Sequence, residues 1–154
     1  EQIKYEVANG VATLTLNRPD RMNAWTRQMH RELTNAIEAS NASPDVGAMV
    51  ITGAGRGFCA GADIKDTFQK QIVTSAAPQP KAENTGQSSD WVALLRRSKP
   101  IIAAVNGPSV GVGATMILPC DIIIAAESAK FAMAFVKMGV VPELASSHFL
   151  VQRM

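Results

Sequence analysis

A chain of 154 residues with 47% hydrophobic and 18% charged side chains carries enough apolar material for one buried core, and such a composition excludes an intrinsically disordered chain. Fifteen basic against thirteen acidic residues leave a net charge of +2, with no basic run or aromatic–basic stripe, which argues against nucleic acid as a partner. No apolar stretch approaches the about 20 residues of a membrane-spanning helix, and the opening EQIKYEV lacks a basic-then-apolar secretory pattern, so the expectation is a soluble, cytoplasmic protein with no membrane partner.

The chain begins as β. Ile3 to Val7 and Val11 to Leu16 flank Ala8-Asn9-Gly10, and the second run alternates Val11, Thr13 and Thr15 with Ala12, Leu14 and Leu16, the pattern of a hairpin. After a polar turn at Asn17 to Arg21, Thr26 is placed to cap a helix whose apolar residues Met29, Leu33, Ala36 and Ile37 recur at three and four. His30 lies off that stripe beside Arg31 and Glu32 and reads as a solvated surface residue. Ala48 to Thr52 is a short apolar strand; strand, helix, strand makes a right-handed crossover if the two strands pair in parallel. From Thr67 to Asp90 periodicity is lost in a stretch rich in Pro, Ser and Gly, which predicts a mobile loop or lid. Trp91 to Arg97 resumes as a helix capped by Asp90, and Ile101 to Val105 is a buried strand broken by Asn106-Gly107-Pro108. A small-residue helix then opens at Gly111-Val112-Gly113. Asp121 to Ala125 predicts a third buried strand, Lys130 to Ala132 a short one, Phe135 to Pro142 a loop running past the core, and Ser146 onward a helix. The succession is that of an α/β architecture in one domain over residues 1–154.

Two of these strands run into glycine-rich turns, at Gly53 to Asp63 and at Gly107 to Gly113. Glycine lets the backbone approach a ligand closely, and a helix start offers unpaired N–H groups, so two such turns can converge their amides on one oxygen and stabilise a developing negative charge. Gly55 to Ala60 also satisfies G-x-G-x-x-A after a strand, a dinucleotide fingerprint, but no acidic residue ends a strand about twenty positions on. Cys59 and Cys120 have no histidine or further cysteine at metal-ligand spacing and no base beside them, so they read as buried reduced thiols, and no metal site is expected.

Five segments in order, NRPDRMNA (Asn17 to Ala24), ITGAGRGFCAGADIK (Ile51 to Lys65), KPIIAAVNGPSVGVG (Lys99 to Gly113), CDIIIAAESAKF (Cys120 to Phe131) and MGVVPE (Met138 to Glu143), closely resemble the enoyl-CoA hydratase/isomerase, or crotonase, superfamily. The resemblance covers nearly the whole chain. It implies a crotonase-like spiral of β-β-α units that binds an acyl-CoA thioester and stabilises its enolate, here without the family's usual C-terminal helices. By the same resemblance the oxyanion donors are the amides of Ala62 and Val112, the latter standing where glycine is commoner without loss of an N–H. Coenzyme A, as part of the substrate and with no separate cofactor, would lie along Arg21, Met22, Ala60, Asp63, Ile64 and Lys65. A homotrimer or hexamer is implied as well.

The departures bear on the reaction. Family hydratases hold a water between two glutamates, and this chain has Thr115 and Phe135 at those places. The resemblance instead points to the Δ3,Δ2-enoyl-CoA isomerase branch, whose single acid sits in a Pro-Glu-Gly-like turn. Pro142-Glu143-Leu144 is similar to it, with Leu144 where glycine is usual, and it implies that Glu143 is the base, enclosed by Phe135, Val140 and Val141. The readings carried forward are an enoyl-CoA isomerase, a catalytically silent CoA-binding or assembly subunit of the same fold, and a hydratase with a different water-activating arrangement.

Overall fold

In a computed structural model, described over residues 1–63 and 90–154, the chain builds a five-stranded mixed sheet and a small two-stranded one. Strands β1 (Ile3–Ala8) and β2 (Val11–Leu16) form the expected antiparallel hairpin. Its two-residue turn takes positive φ at Asn9 (50°) and Gly10 (80°), as a turn matched to the right-handed strand twist requires. Helix α1 (Arg27–Ala42) crosses over to β3 (Ala48–Gly53), which pairs with β2 in parallel, and β4 (Ile101–Val105) and β6 (Ile122–Ala125) add in parallel on the far side. The sheet order is β1-β2-β3-β4-β6.

The core follows from side-chain period. Alternation in β2, β3 and β4 turns Ala12, Leu14, Leu16, Met49, Ile51, Ile101, Ala103 and Val105 inward, and α1 presents Met29, Leu33 and Ile37 to the same cluster. Thr26 caps α1 by accepting the Met29 N–H at 3.0 Å, and Asp90 caps α2 (Trp91–Arg97) by accepting from Val92 and Ala93. Lys99 closes the other end of α1, its ammonium donating to the carbonyls of Ser40 (3.0 Å) and Ser43 (2.5 Å), where the helix leaves carbonyls unpaired.

After its strand in the large sheet, each pass of the chain contributes a short extended piece to a second layer. Trp25 bridges Ala62, Cys59 bridges Ser109, and β5 (Ser109–Val110) pairs with β7 (Phe131–Ala132), all in parallel. Short helices α3 (Val112–Thr115) and α4 (Phe135–Met138) follow β5 and β7, and α5 (Ser146–Arg153) completes the described chain. The result is the expected α/β spiral of β-β-α passes.

Three expectations differ from what is found. Residues 122–125 are an exposed edge strand: Ile123 packs toward the core, while Ile122 and Ile124 are 53% and 61% exposed. The segment from Phe135 contains one helical turn before Gly139 ends it at φ 65°. His30 is half-buried, its ring 5.8 Å from those of both Trp25 and Trp91, and desolvation there lowers its pKa. The predicted lid, up to residue 89, lies outside the described residues.

Candidate active site

Two asparagines fix the first glycine turn. The fully buried Asn23, at φ 54°, accepts the Arg18 N–H at 2.8 Å and donates to the carbonyls of Ala54 and Gly57, both at 2.9 Å. From the other side Asn106 accepts the Gly53 N–H and donates to the Gly55 carbonyl at 2.9 Å. Side-chain amides thus satisfy turn backbone groups that no strand can pair, which is how a glycine-rich loop keeps one shape.

Residues 58–59 then run alongside residues 108–110. The Cys59 amide donates to the Pro108 carbonyl (3.1 Å) and the Val110 amide to the Cys59 carbonyl (2.9 Å). Beyond the Cys59–Ser109 bridge the extended register ends, at Gly61 (φ 99°) and Gly111 (φ 53°), and the two turns stay packed through Gly61 against the Val110 carbonyl and Gly113 against Cys59. Ala62 is bridged to Trp25 on its other edge, through Trp25 N–H to Gly61 O and Asp63 N–H to Trp25 O, both 2.8 Å; in a parallel bridge this turns the N–H of Ala62 itself away from Trp25. Val112 is the first residue of α3, where an amide has no partner within the helix. Neither amide donates to a described residue.

Glu143 reaches α3 from the following turn. One carboxylate oxygen accepts the Thr115 hydroxyl at 2.5 Å, and Thr115 is itself fully buried one helical turn beyond Val112. Leu144 and Ala145 occupy the left-handed region at φ 56° and 52°, so the turn keeps its shape without the glycine usual there. Phe135 is buried, but Val140 and Val141 are 53% and 85% exposed and do not enclose the carboxylate as expected. Their backbone follows the Gly139 bend, which turns both side chains outward.

The residues expected along coenzyme A fall into two groups. Arg21 is exposed, Met22 is half-buried, and the Met22 carbonyl accepts the Ala60 N–H at 2.9 Å, so these three line one edge of the turn. Asp63 pairs with Arg18 at 2.9 Å, with both side chains largely buried. Ile64 and Lys65 lie outside the described residues. Arg56, which the sequence did not single out, donates to the Met22 sulfur at 3.0 Å and adds an exposed cation at this edge. Arg56 and Asn106 stand within or beside the glycine motifs, and Arg18 and Asn23 in the polar turn before α1; a polar residue adjoining a turn was the one signal for them.

Burial pushes the Cys59 thiol up to about 11 and the Cys120 thiol up to about 12, which keeps both protonated and unreactive near neutrality. Among the described residues no three His, Cys, Asp or Glu side chains converge as a metal site, and no helix is long and apolar enough to cross a membrane.

The sequence and the fold have close counterparts. A family described as enoyl-CoA hydratase/isomerase matches residues 6–154. The 1,2-epoxyphenylacetyl-CoA isomerase of Escherichia coli (strain K12) is 42% identical over 156 aligned residues, spanning 97% of this chain and 57% of that protein. The 2,3-dehydroadipyl-CoA hydratase of the same organism is 33% identical over 92% of this chain and 53% of its own length. The crystal structure of an enoyl-CoA hydratase/isomerase from Pseudoalteromonas atlantica T6c superposes with a TM-score of 0.81 at 35% identity, covering 97% of this chain and 57% of that one. The chain thus spans little more than half the length of the relatives it matches. With that match running through both glycine turns and the Glu143 turn, the chain belongs to the enoyl-CoA hydratase/isomerase family.

Proposed function

We propose that the protein containing this chain isomerises an enoyl-CoA, shifting a double bond into conjugation with the thioester. The observation that carries the reading is the single carboxylate of Glu143 held through Thr115 against the helix that begins at Val112. The N–H groups of Ala62 and Val112 receive the thioester oxygen. Glu143 removes a proton from C2 of a 3-enoyl-CoA, the electron pair moves toward the carbonyl to give a dienolate, and the same carboxyl group returns the proton at C4 as the thioester re-forms. Amides already aimed at the oxygen stabilise the dienolate without reorganising, and one such donor is worth about 10²- to 10³-fold in rate. One acid/base suffices, because a proton that leaves and returns on the same face needs one carrier.

A hydratase reading asks for a second carboxylate to orient water, and Thr115 and Phe135 supply none. The 1,2-epoxyphenylacetyl-CoA isomerase among the relatives makes an epoxide of an arylacetyl-CoA the second substrate to try. Arg21 and Arg56, both exposed near Met22, are suited to the phosphates of coenzyme A, with Met22 and Ala60 against its apolar parts and Lys65 a further cation. Asp63 serves there by holding Arg18. Assembly as a homotrimer or hexamer accompanies this proposal.

Glu143→Gln, made in the full-length protein, keeps the shape of the side chain and removes the base. Isomerisation of a 3-enoyl-CoA falls by about 10²- to 10⁴-fold while CoA-thioester affinity persists. Wild-type turnover by this variant would eliminate Glu143 as the base, and a wild-type protein that binds CoA thioesters yet turns none over would leave the silent-subunit reading standing.

A further inference from the structure

Thr115 is fully buried, and its hydroxyl has one proton to give. Two acceptors face it: the Val112 carbonyl at 3.4 Å, beyond the usual O–H···O range, and one oxygen of Glu143 at 2.5 Å, at its short end. The proton therefore goes to Glu143. The ordinary alternative for a helical threonine, a bond to its own preceding turn, is the weaker contact here. Among the described residues the second carboxylate oxygen of Glu143 has no donor. A carboxylate on an untethered three-torsion side chain samples many rotamers, whereas this one is anchored at one oxygen from α3 and at its backbone by the left-handed pair Leu144 and Ala145.

We propose that Thr115 is a positioning residue which ties up one oxygen of Glu143 and so selects the other as the base. The inference rests on the isomerase reading and deepens it. Thr115 stands where family hydratases carry a glutamate, so the same position that would hold a second water-activating carboxylate instead donates a hydrogen bond that orients the remaining one. A hydroxyl here adds no competing charge beside the base and offers no second acceptor for a catalytic water.

The test is steady-state isomerisation of a 3-enoyl-CoA by full-length Thr115→Val, Thr115→Ser, Glu143→Gln and the double variant Thr115→Val/Glu143→Gln. Valine keeps the shape and removes the donor; kcat is expected to fall about 10- to 100-fold with KM within about twofold, as for loss of a hydrogen bond to a charged group in the reacting complex. Serine restores kcat to within about threefold of wild type. In the Glu143→Gln background the valine adds no further loss, because the two side chains act as one unit. Wild-type kcat in Thr115→Val overturns the proposal, as does a loss that serine does not restore or one that is equally large in the Glu143→Gln background, either of which marks a packing role. Wild-type turnover by Glu143→Gln overturns the isomerase base itself, whatever Thr115 does.

Discussion

Gly113 has no room for a side chain. A Cβ at this position would come within 2.5 Å of the Cys59 carbonyl oxygen and 2.7 Å of the Cys59 Cβ, so α3 lies on the first glycine turn at a distance only glycine permits. That approach packs the start of α3 against the segment that leads into Ala62. Gly113→Ala is expected to force the two segments apart, lowering stability by about 2 kcal/mol as overpacking of a close contact does, and weakening turnover with it; thermal unfolding and kcat/KM measure both. Unchanged values would mean that the segments move apart freely and that their spacing does not matter. At this scale the two glycine turns were legible as glycine clusters after strands, whereas Ala62 and Val112 were named only through the family resemblance. The contact between Thr115 and Glu143 was not, because it joins residues 28 positions apart through a bend that no local pattern announces.

The bend itself is an element with stored strain. Leu144 and Ala145 are consecutive non-glycine residues in the left-handed region, which crowds Cβ against the following carbonyl at about 1–2 kcal/mol each. The Ala145 carbonyl nevertheless accepts from His148 and Phe149 and starts α5, and Arg153 at its far end donates to the carbonyls of Leu118 and Cys120. Helix α5 thus clamps the bend in place. Ala145 is exposed, so Ala145→Gly relieves strain without removing packing. The expected gain is about 0.5–1 kcal/mol after the added freedom of glycine in the unfolded chain is subtracted, read from denaturant unfolding at unchanged m-value; a loss of stability would show that the left-handed turn is not strained. Among the other elements, the hairpin, both capped helices and the parallel strands followed from period and capping residues. Strand β6 was expected as well, but not its exposed face, since IIIA is equally apolar whether both faces or one are covered, and a short run carries no period to decide it. His30 misled for a related reason: it lies off the apolar stripe of its own helix, but Trp25 and Trp91 come to it from other elements.

Taken whole, the molecule repeats one device. Each pass of the spiral sends a strand into the large sheet, turns sharply, and lays a short extended piece against the piece before it, so residues 25, 59–62, 109–110 and 131–132 meet although they are scattered through the sequence. The two candidate oxyanion amides come from adjacent passes and the carboxylate from a later one. Ile122, Ile124, Phe131, Val136 and Val141 are all at least half exposed, which is more large apolar surface than the core-facing strands leave elsewhere among the described residues. The central feature of the proposal is that Glu143 acts alone among the described residues, where two carboxylates would be needed to activate water. The measurement that tests it most directly gives the full-length wild-type protein a 3-enoyl-CoA and a 2-enoyl-CoA of equal chain length in separate reactions and follows the products by chromatography. A conjugated 2-enoyl-CoA forming from the first substrate, with 3-hydroxyacyl-CoA from the second slower by about 10²-fold or more, is the predicted result. Hydration of the 2-enoyl-CoA at a rate equal to or above the double-bond shift would contradict the single-carboxylate account.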